Sequence, residues 1–387
     1  MQMRVVAAVG IACALAFGPS RVMAQGGPGQ SGIHVPDSSI EQPGDRGVRA
    51  HTNHVVALRG GAAPNSASPT GKTPANIRAA YNLPTSGGAG IIAIIDAFDY
   101  PTATNDFNVF SNQFGLPLEP GDGSVFQVVY PKGRPRSNCG WTQESALDIE
   151  WAHAMAPGAK IVLVLAKSNS FSDLFSAVNY AESLPGVVQI SMSWGGSEFS
   201  GETTYDSTFN GNLTYFAASG DTGGKTIYPG VSPKVVAAGG TTLVMNGDTV
   251  VSETGWSGSG GGPSKYESRP AFQDAISAIV GSARGVPDFS FDADPQTGVS
   301  VYDSTSCQGF VNWMVFGGTS VSSPSLAGIV NLAQSNKGPF ELSFIYGNLG
   351  NSNDFNDIVG GSAGSFTAVK GWDFVTGIGS SKGLVGK

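Results

Sequence analysis

The 387-residue chain has little charge: Asp, Glu, Lys and Arg together make up 13% of it, and acids outnumber bases 29 to 21. With a formal net charge of −8 and no basic stripe to neutralise phosphates, a nucleic-acid partner is excluded. Histidine is scarcer still, with four in the whole sequence. Three of them, His34, His51 and His54, lie in a Gly-, Pro-, Ser- and Asn-rich N-terminal stretch, which leaves His153. Long apolar runs are also missing, apart from Val5 to Phe17 after Arg4, followed by Val22-Met23-Ala24. That run is too short to span a bilayer and has the flanks of a secretory signal peptide, so cleavage is expected after Ala24 and no membrane span remains. Of the three cysteines, Cys13 leaves with the signal. Cys139 and Cys307 are then free to form a disulfide in an oxidising compartment or to stay as thiols.

Glycine is plentiful, at 55 residues, and the hydrophobic fraction is 40%. Residues 25–72 have little apolar periodicity and read as a flexible leader or short pro-segment. Ordered structure is expected from Thr73, a helix cap with Pro74 at the first helical position, through residue 387 as one domain. Ile91-Ile92-Ala93-Ile94-Ile95-Asp96 is a continuous apolar run ending in an acid, as suits a parallel strand buried on both faces. Helices over Glu144–Ala156 and Ser172–Ser183 alternate with strands over Lys160–Leu165, Val187–Ser193, Leu213–Ala218 and Val235–Ala238. The pattern predicts an α/β fold, a doubly wound, mostly parallel sheet with helices on both faces. The glycine-rich stretch Gly255–Pro263 lacks the Lys-Ser/Thr ending of a phosphate loop and reads as a mobile surface segment or substrate-facing edge.

Chemistry concentrates at Gly317-Gly318-Thr319-Ser320, which reads as a strand-to-helix corner. Glycines allow close backbone approach, and a helix from Val321 to Leu332 would leave Ser320 beside unpaired N–H groups at the positive end of the dipole. A serine there needs a base. The order Asp96, His153, Ser320 mimics an Asp-His-Ser triad, but His153 sits well inside its helix. Glu144 and Asp148, spaced i,i+4, stack on one face of that helix. His153 lies about 140° away from Asp148 at about 100° per residue. The neighbours of the acid pair are mostly apolar, and a buried carboxylate is costly unless paired or protonated. Asp221, in Ser219-Gly220-Asp221-Thr222-Gly223, follows a buried strand, at the end where catalytic groups of such sheets gather.

These motifs resemble the sedolisin family of serine-carboxyl peptidases over roughly Thr73 to the C-terminus. The resemblance implies a subtilisin-like fold and a Ser-Glu-Asp triad of Ser320, Glu144 and Asp148, with Asp221 as the oxyanion aspartate. Asp96 resembles the position at which some members extend the hydrogen-bonded chain, and Ser193-Trp194-Gly195-Gly196 resembles the segment lining the substrate cleft. One calcium ion is implied at Asp357 and Asp373 and the backbone carbonyls of Ile358, Val369 and Gly371, an oxygen-only set. Asp288, in Arg284-Gly285-Val286-Pro287-Asp288, reads as structural. The expected protein is a secreted, monomeric endopeptidase acting on proteins or peptides in acid. Two alternatives are a subtilisin-type hydrolase using His153 and a secreted binding protein on the same fold. The roughly 45 residues ahead of Thr73 are far fewer than the large folded propeptide typical of the family.

Overall fold

The computed structural model describes residues 32–58 and 65–387, so the expected signal peptide, residues 1–24, lies outside the described residues. Order begins well ahead of Thr73, contrary to the expectation of a flexible leader. The first three strands are β1 (Ile33–His34), β2 (His51–Thr52) and β3 (Val55–Ala57). β3 is buried throughout and pairs with β1. Composition concealed this segment because its apolar run is only three residues long and finds its partners far away in the sequence.

Helix α1 (Pro74–Tyr81) starts as expected, with Thr73 and Asn76 forming a reciprocal capping box and Pro74 in the first turn. There follow β4 (Ile91–Ala97), α2 (Ala103–Phe114), β5 (Phe126–Val129), α3 (Cys139–Met155) and β6 (Lys160–Ala166). Next come α4 (Phe171–Glu182), β7 (Val187–Met192), β8 (Trp194–Ser197), β9 (Thr214–Ala218) and β10 (Ile227–Tyr228). The chain continues through β11 (Val235–Asn246), β12 (Thr249–Gly255), β13 (Gly262–Ser268), α5 (Ser277–Val280), β14 (Ala283–Val286) and β15 (Phe289–Asp292). A hairpin of β16 (Val299–Cys307) and β17 (Phe310–Gly317) leads into α6 (Thr319–Leu332) and then α7 (Glu341–Gly347).

The central sheet carries the parallel order β15-β11-β9-β7-β4-β6-β5, with β12 antiparallel to the far end of β11. β4 is flanked by β6 on one side and β7 on the other, so the order of winding reverses there. Such a reversal opens a crevice at the carboxyl ends of the strands, where Asp96 and Ser193 stand.

Helix α3 is buried along its whole length apart from Cys139. Its polar side chains therefore need partners inside the protein. Trp151 Nε1 donates to Ser300 O at 3.0 Å, and Glu150 accepts from Tyr302 N–H at 3.0 Å. α3 packs closely on α6: a Cβ at Gly328 would lie 2.6 Å from Met155 Cβ, so glycine is what lets the two helices approach. The two helices carrying the acid pair and the serine are thus held as one unit. The Gly255–Pro263 stretch is an edge of the crevice rather than a mobile segment. Gly260 N–H donates to Gly220 O at 2.7 Å, and a Cβ at Gly260 would come within 2.1 Å of Ser219 O.

Candidate active site

Ser320 is fully buried at the first turn of α6, where Gly318, at φ 98°, turns the strand into the helix. Its Oγ donates to Ser193 O and accepts from Asn53 N–H, each at 3.1 Å, while its own N–H donates to Asn53 O at 2.9 Å. The serine corner therefore holds a peptide group from the N-terminal segment. Glu144 Oε2 accepts from the same Asn53 N–H at 3.2 Å and lies 2.8 Å from His54 Nδ1. Asp148 Oδ1 accepts from Ser193 Oγ at 2.8 Å. Asp221 Oδ1 accepts from both the N–H and the Oγ1 of Thr319, at 2.7 and 2.8 Å, which ties the aspartate loop to the residue before the serine.

The four acids share one feature. Glu144 Oε1, Asp148 Oδ2, Asp221 Oδ2 and both oxygens of Asp96 are buried and receive no hydrogen bond. A carboxylate oxygen without a donor in a dry site favours the protonated form. Burial, with Glu144 nearby, accordingly holds the Asp96 carboxyl well above the usual carboxylate range. Burial raises Asp148 in the same way, with Asp96 and Glu144 adding like charge. Burial also lifts Asp221 to about 8, against the lowering effect of its bonds to Thr319. A Cβ at Gly318 would meet both Asn53 O, at 2.2 Å, and Asp221 Oδ2, at 2.5 Å, so these two oxygens lie on the same side of the Gly318 backbone. A protonated Asp221 in this position can donate to a carbonyl oxygen held by Ser320 N–H.

Ser193, Trp194, Gly195 and Gly196 run beside the N-terminal segment. Thr52 and His51 of β2 pair antiparallel with Trp194 and Gly195, while the Trp194 side chain is buried beneath, donating to Ile95 O at 2.7 Å. His153 is not part of this constellation. Its Nε2–H donates to Pro117 O at 3.0 Å, its ring packs on Phe107, and burial pushes it down to about 4, so it is a neutral core residue. The histidine at the site is instead His54, whose nitrogens face Glu144 and Gln143 rather than the serine. Sequence reasoning missed Asn53, His54 and the anchoring Thr319. The sole signal for the first two was the short β-forming run His54-Val55-Val56-Ala57 after a polar stretch.

Cys139 and Cys307 are joined, with Cα atoms 5.2 Å apart, linking the start of α3 to the end of β16. Two of the expected calcium ligands, Asp357 and Asp373, both bond to the segment 369–371 near the C-terminus. Both oxygens of Asp357 accept from Gly371 N–H at 3.1 Å, and Asp373 accepts from Val369, Val375 and Thr376 N–H. The two carboxylates thus close one loop whose other donors would be carbonyls, a hard-oxygen set that suits calcium. Among the described residues, no group of three or more His, Cys, Asp or Glu is arranged to hold a metal, and no helix is long and apolar enough to cross a membrane.

No family model matches the chain. It is 30% identical to kumamolisin from Bacillus sp. (strain MN-32) over 365 residues, covering 82% of this chain and 63% of that one. It is 34% identical to sedolisin from Pseudomonas sp. (strain 101) over 172 residues, 40% of this chain and 28% of that protein. The chain thus spans less than two thirds of the length of these curated relatives. Among solved structures, Pseudomonas sedolisin, a serine-carboxyl proteinase complexed with pseudo-iodotyrostatin, superposes with a TM-score of 0.69 at 25% identity, covering 81% of this chain and 96% of that one. Sphericase, at 18% identity and a TM-score of 0.52, shares the fold. In its sequence relatives and its fold, the chain is similar to the sedolisin family, on a subtilisin-like architecture.

Proposed function

We propose that the protein is a secreted, acid-acting serine-carboxyl endopeptidase. The observation that carries this reading is the contact of Ser320 N–H with a peptide carbonyl at 2.9 Å, beside four acids bearing orphaned buried oxygens. Ser320 Oγ attacks the scissile carbonyl, and Glu144 takes its proton. Asp148, next to Glu144 on the helix, holds a proton of its own and orients the base, with Asp96 beyond it. Asp221 Oδ2–H and Ser320 N–H hold the oxyanion of the tetrahedral intermediate. The carbonyl then reforms, the amine leaves with the proton from Glu144, and water hydrolyses the Ser320 ester.

A carboxylate base ordinarily titrates at about 4, so the mechanism belongs to acid. Its alkaline limit is set by loss of the Asp221 proton, which burial moves up to about 8. Export rests on the signal-like N-terminus. The protein substrate reading rests on peptidase relatives. The calcium site rests on the oxygen set of Asp357, Asp373 and the Ile358, Val369 and Gly371 carbonyls. Calcium there would supply two positive charges to a loop that carries two carboxylates, a stabilising role. The test of the peptidase reading is hydrolysis of an unfolded protein at about pH 4. Turnover abolished in Ser320→Ala supports it, and unchanged turnover refutes it.

A further inference from the structure

Asp221 has two carboxyl oxygens, and the chemistry can use one of them. We propose that Thr319 is a positioning residue whose hydroxyl and N–H together occupy Oδ1, which directs the proton of Asp221 to Oδ2 and so towards the oxyanion. This rests on the peptidase reading above and gives a part in it to the residue before the nucleophile.

The hydrogen bonds around Thr319 have fixed directions. Gly220 N–H can only donate, and it donates to Thr319 Oγ1 at 3.1 Å. The hydroxyl proton is thereby left for Asp221 Oδ1, 2.8 Å away, where Thr319 N–H also arrives, at 2.7 Å. A carboxylate oxygen offers two lone-pair sites, and both of those on Oδ1 are taken. A proton on Asp221 must therefore sit on Oδ2, which is buried and receives no hydrogen bond. Oδ2 is also the oxygen on the Asn53 O side of the Gly318 backbone, where a carbonyl rests on Ser320 N–H. Without the hydroxyl, one site on Oδ1 falls open, the proton divides between the two oxygens, and the share on Oδ1 is lost to catalysis.

The local fold holds this arrangement in place. Thr319 is fully buried as the first residue of α6, so its N–H is one of the donors that a helix start leaves without an intrahelical partner. Gly220, at φ 109°, turns the aspartate loop so that its own N–H and the Asp221 carboxyl both reach Thr319. The loop is backed on its other side. Gly260 N–H donates to Gly220 O at 2.7 Å, and a Cβ at Gly223 would lie 2.2 Å from Ser257 O.

The bonds from Thr319 have a second effect. They stabilise the charged carboxylate and so work against the burial that lifts Asp221 to about 8. Thr319 thus acts both on where the proton sits and on the pH at which it leaves. The titratable groups facing Asp221 are Glu144 on α3, which raises its pKa, and His54 beside Glu144. The stretch Ser257 to Gly261, packed on the loop, carries none. Removing the hydroxyl removes a donor to the charged form, so the protonated, active form persists to higher pH.

The test compares full-length wild type, Thr319→Val and Thr319→Ser, acid-treated before assay, in pH–rate profiles for hydrolysis of an unfolded protein. Intrinsic fluorescence reads the folded fraction at each pH, and rates are taken per folded molecule. Valine keeps the branched shape and the N–H bond but lacks the hydroxyl. Its kcat should fall about tenfold at unchanged KM, short of the 10²–10³-fold expected for losing an oxyanion donor outright. Its alkaline limb should move up by about one pH unit, the worth of one hydrogen bond to a charged group. Serine restores the hydroxyl and should return both to the wild-type values. In an Asp221→Asn background, where no proton can be lost, Thr319→Val should move no limb. Should valine fail to fold, Thr319→Ala removes the same hydroxyl with less bulk and is read for the same two changes. An alkaline limb that stays in place in the folded variant, or a loss that serine does not restore, overturns the inference for Thr319 alone. A wild type inert towards the unfolded protein overturns the peptidase reading, and this inference with it.

Discussion

Two buried acids in this protein, Asp288 and Asp221, sit in opposite circumstances. Asp288 receives Arg284 Nη1 and Nη2 at 2.7 and 2.6 Å, Ala237 N–H at 2.7 Å and Tyr346 Oη at 2.8 Å. Asp221 has one oxygen tied to Thr319 and the other without a donor. The first has every oxygen answered and a neutralising guanidinium, so it is locked in place. The second, like Asp96 and Asp148, keeps an unanswered oxygen that burial inclines to hold a proton. Asp288 is thus held for structure, whereas the acids gathered around Ser320 keep oxygens free for chemistry.

The contrast is open to attack on both sides. The largest effect is expected from Ser320→Ala, which should lower turnover by about 10⁶-fold while leaving the melting temperature in place. A parallel fall in stability would mean that the serine corner is structural. Arg284→Met should do the reverse, costing about 3–5 kcal/mol by stranding a buried charge, with activity per folded molecule retained. Denaturant titration reads this directly, and an unchanged midpoint would break the comparison. Asp221→Ala should cost about 10²–10³-fold in turnover with little loss of stability, as expected for removing an oxyanion donor.

Much of this was legible in the sequence, for identifiable reasons. The apolar runs of the sheet, the Thr73 cap and the glycine corner before Ser320 are local signals, and each stands where periodicity and turn chemistry put it. The i,i+4 acids on an apolar helix announced a buried pair, because helix geometry alone puts both carboxylates on one face. What could not be read was pairing between distant segments. Nothing near Asn53 or His54 reveals that β2 will meet β8, or that β3 will meet β17, since those contacts are made across about 140 and 260 residues of chain. Thr319 was hidden because its role lies in where its hydroxyl points. His153 looked available by elimination, and only packing against Phe107 and Pro117 O revealed it as core.

Smaller effects test the same contrast at the scale of the whole molecule. Burial raises Asp292, Asp303 and Glu341 to about 7. A folded-state pKa above the unfolded value of about 4 contributes stability that is fully present below the unfolded value and is lost as pH rises through the folded one. The melting temperature should therefore be highest in acid and decline from about pH 5 towards pH 8. A profile rising across that window would contradict the protonated state of these acids. Smallest of all, chelation of calcium should lower the melting temperature by a few degrees, and Asp357→Asn should abolish that response. No shift on chelation would remove the metal from the account.

The central claim is that a protonated buried carboxyl, Asp221, serves as oxyanion donor. The direct test is the pH–rate profile for hydrolysis of an unfolded protein by the acid-treated wild type beside Asp221→Asn. An amide keeps a donor but cannot ionise, so the wild type should lose activity as pH rises towards about 8 while the asparagine variant, slower at its best pH, should show no such fall. An identical alkaline limb in both proteins would contradict the claim.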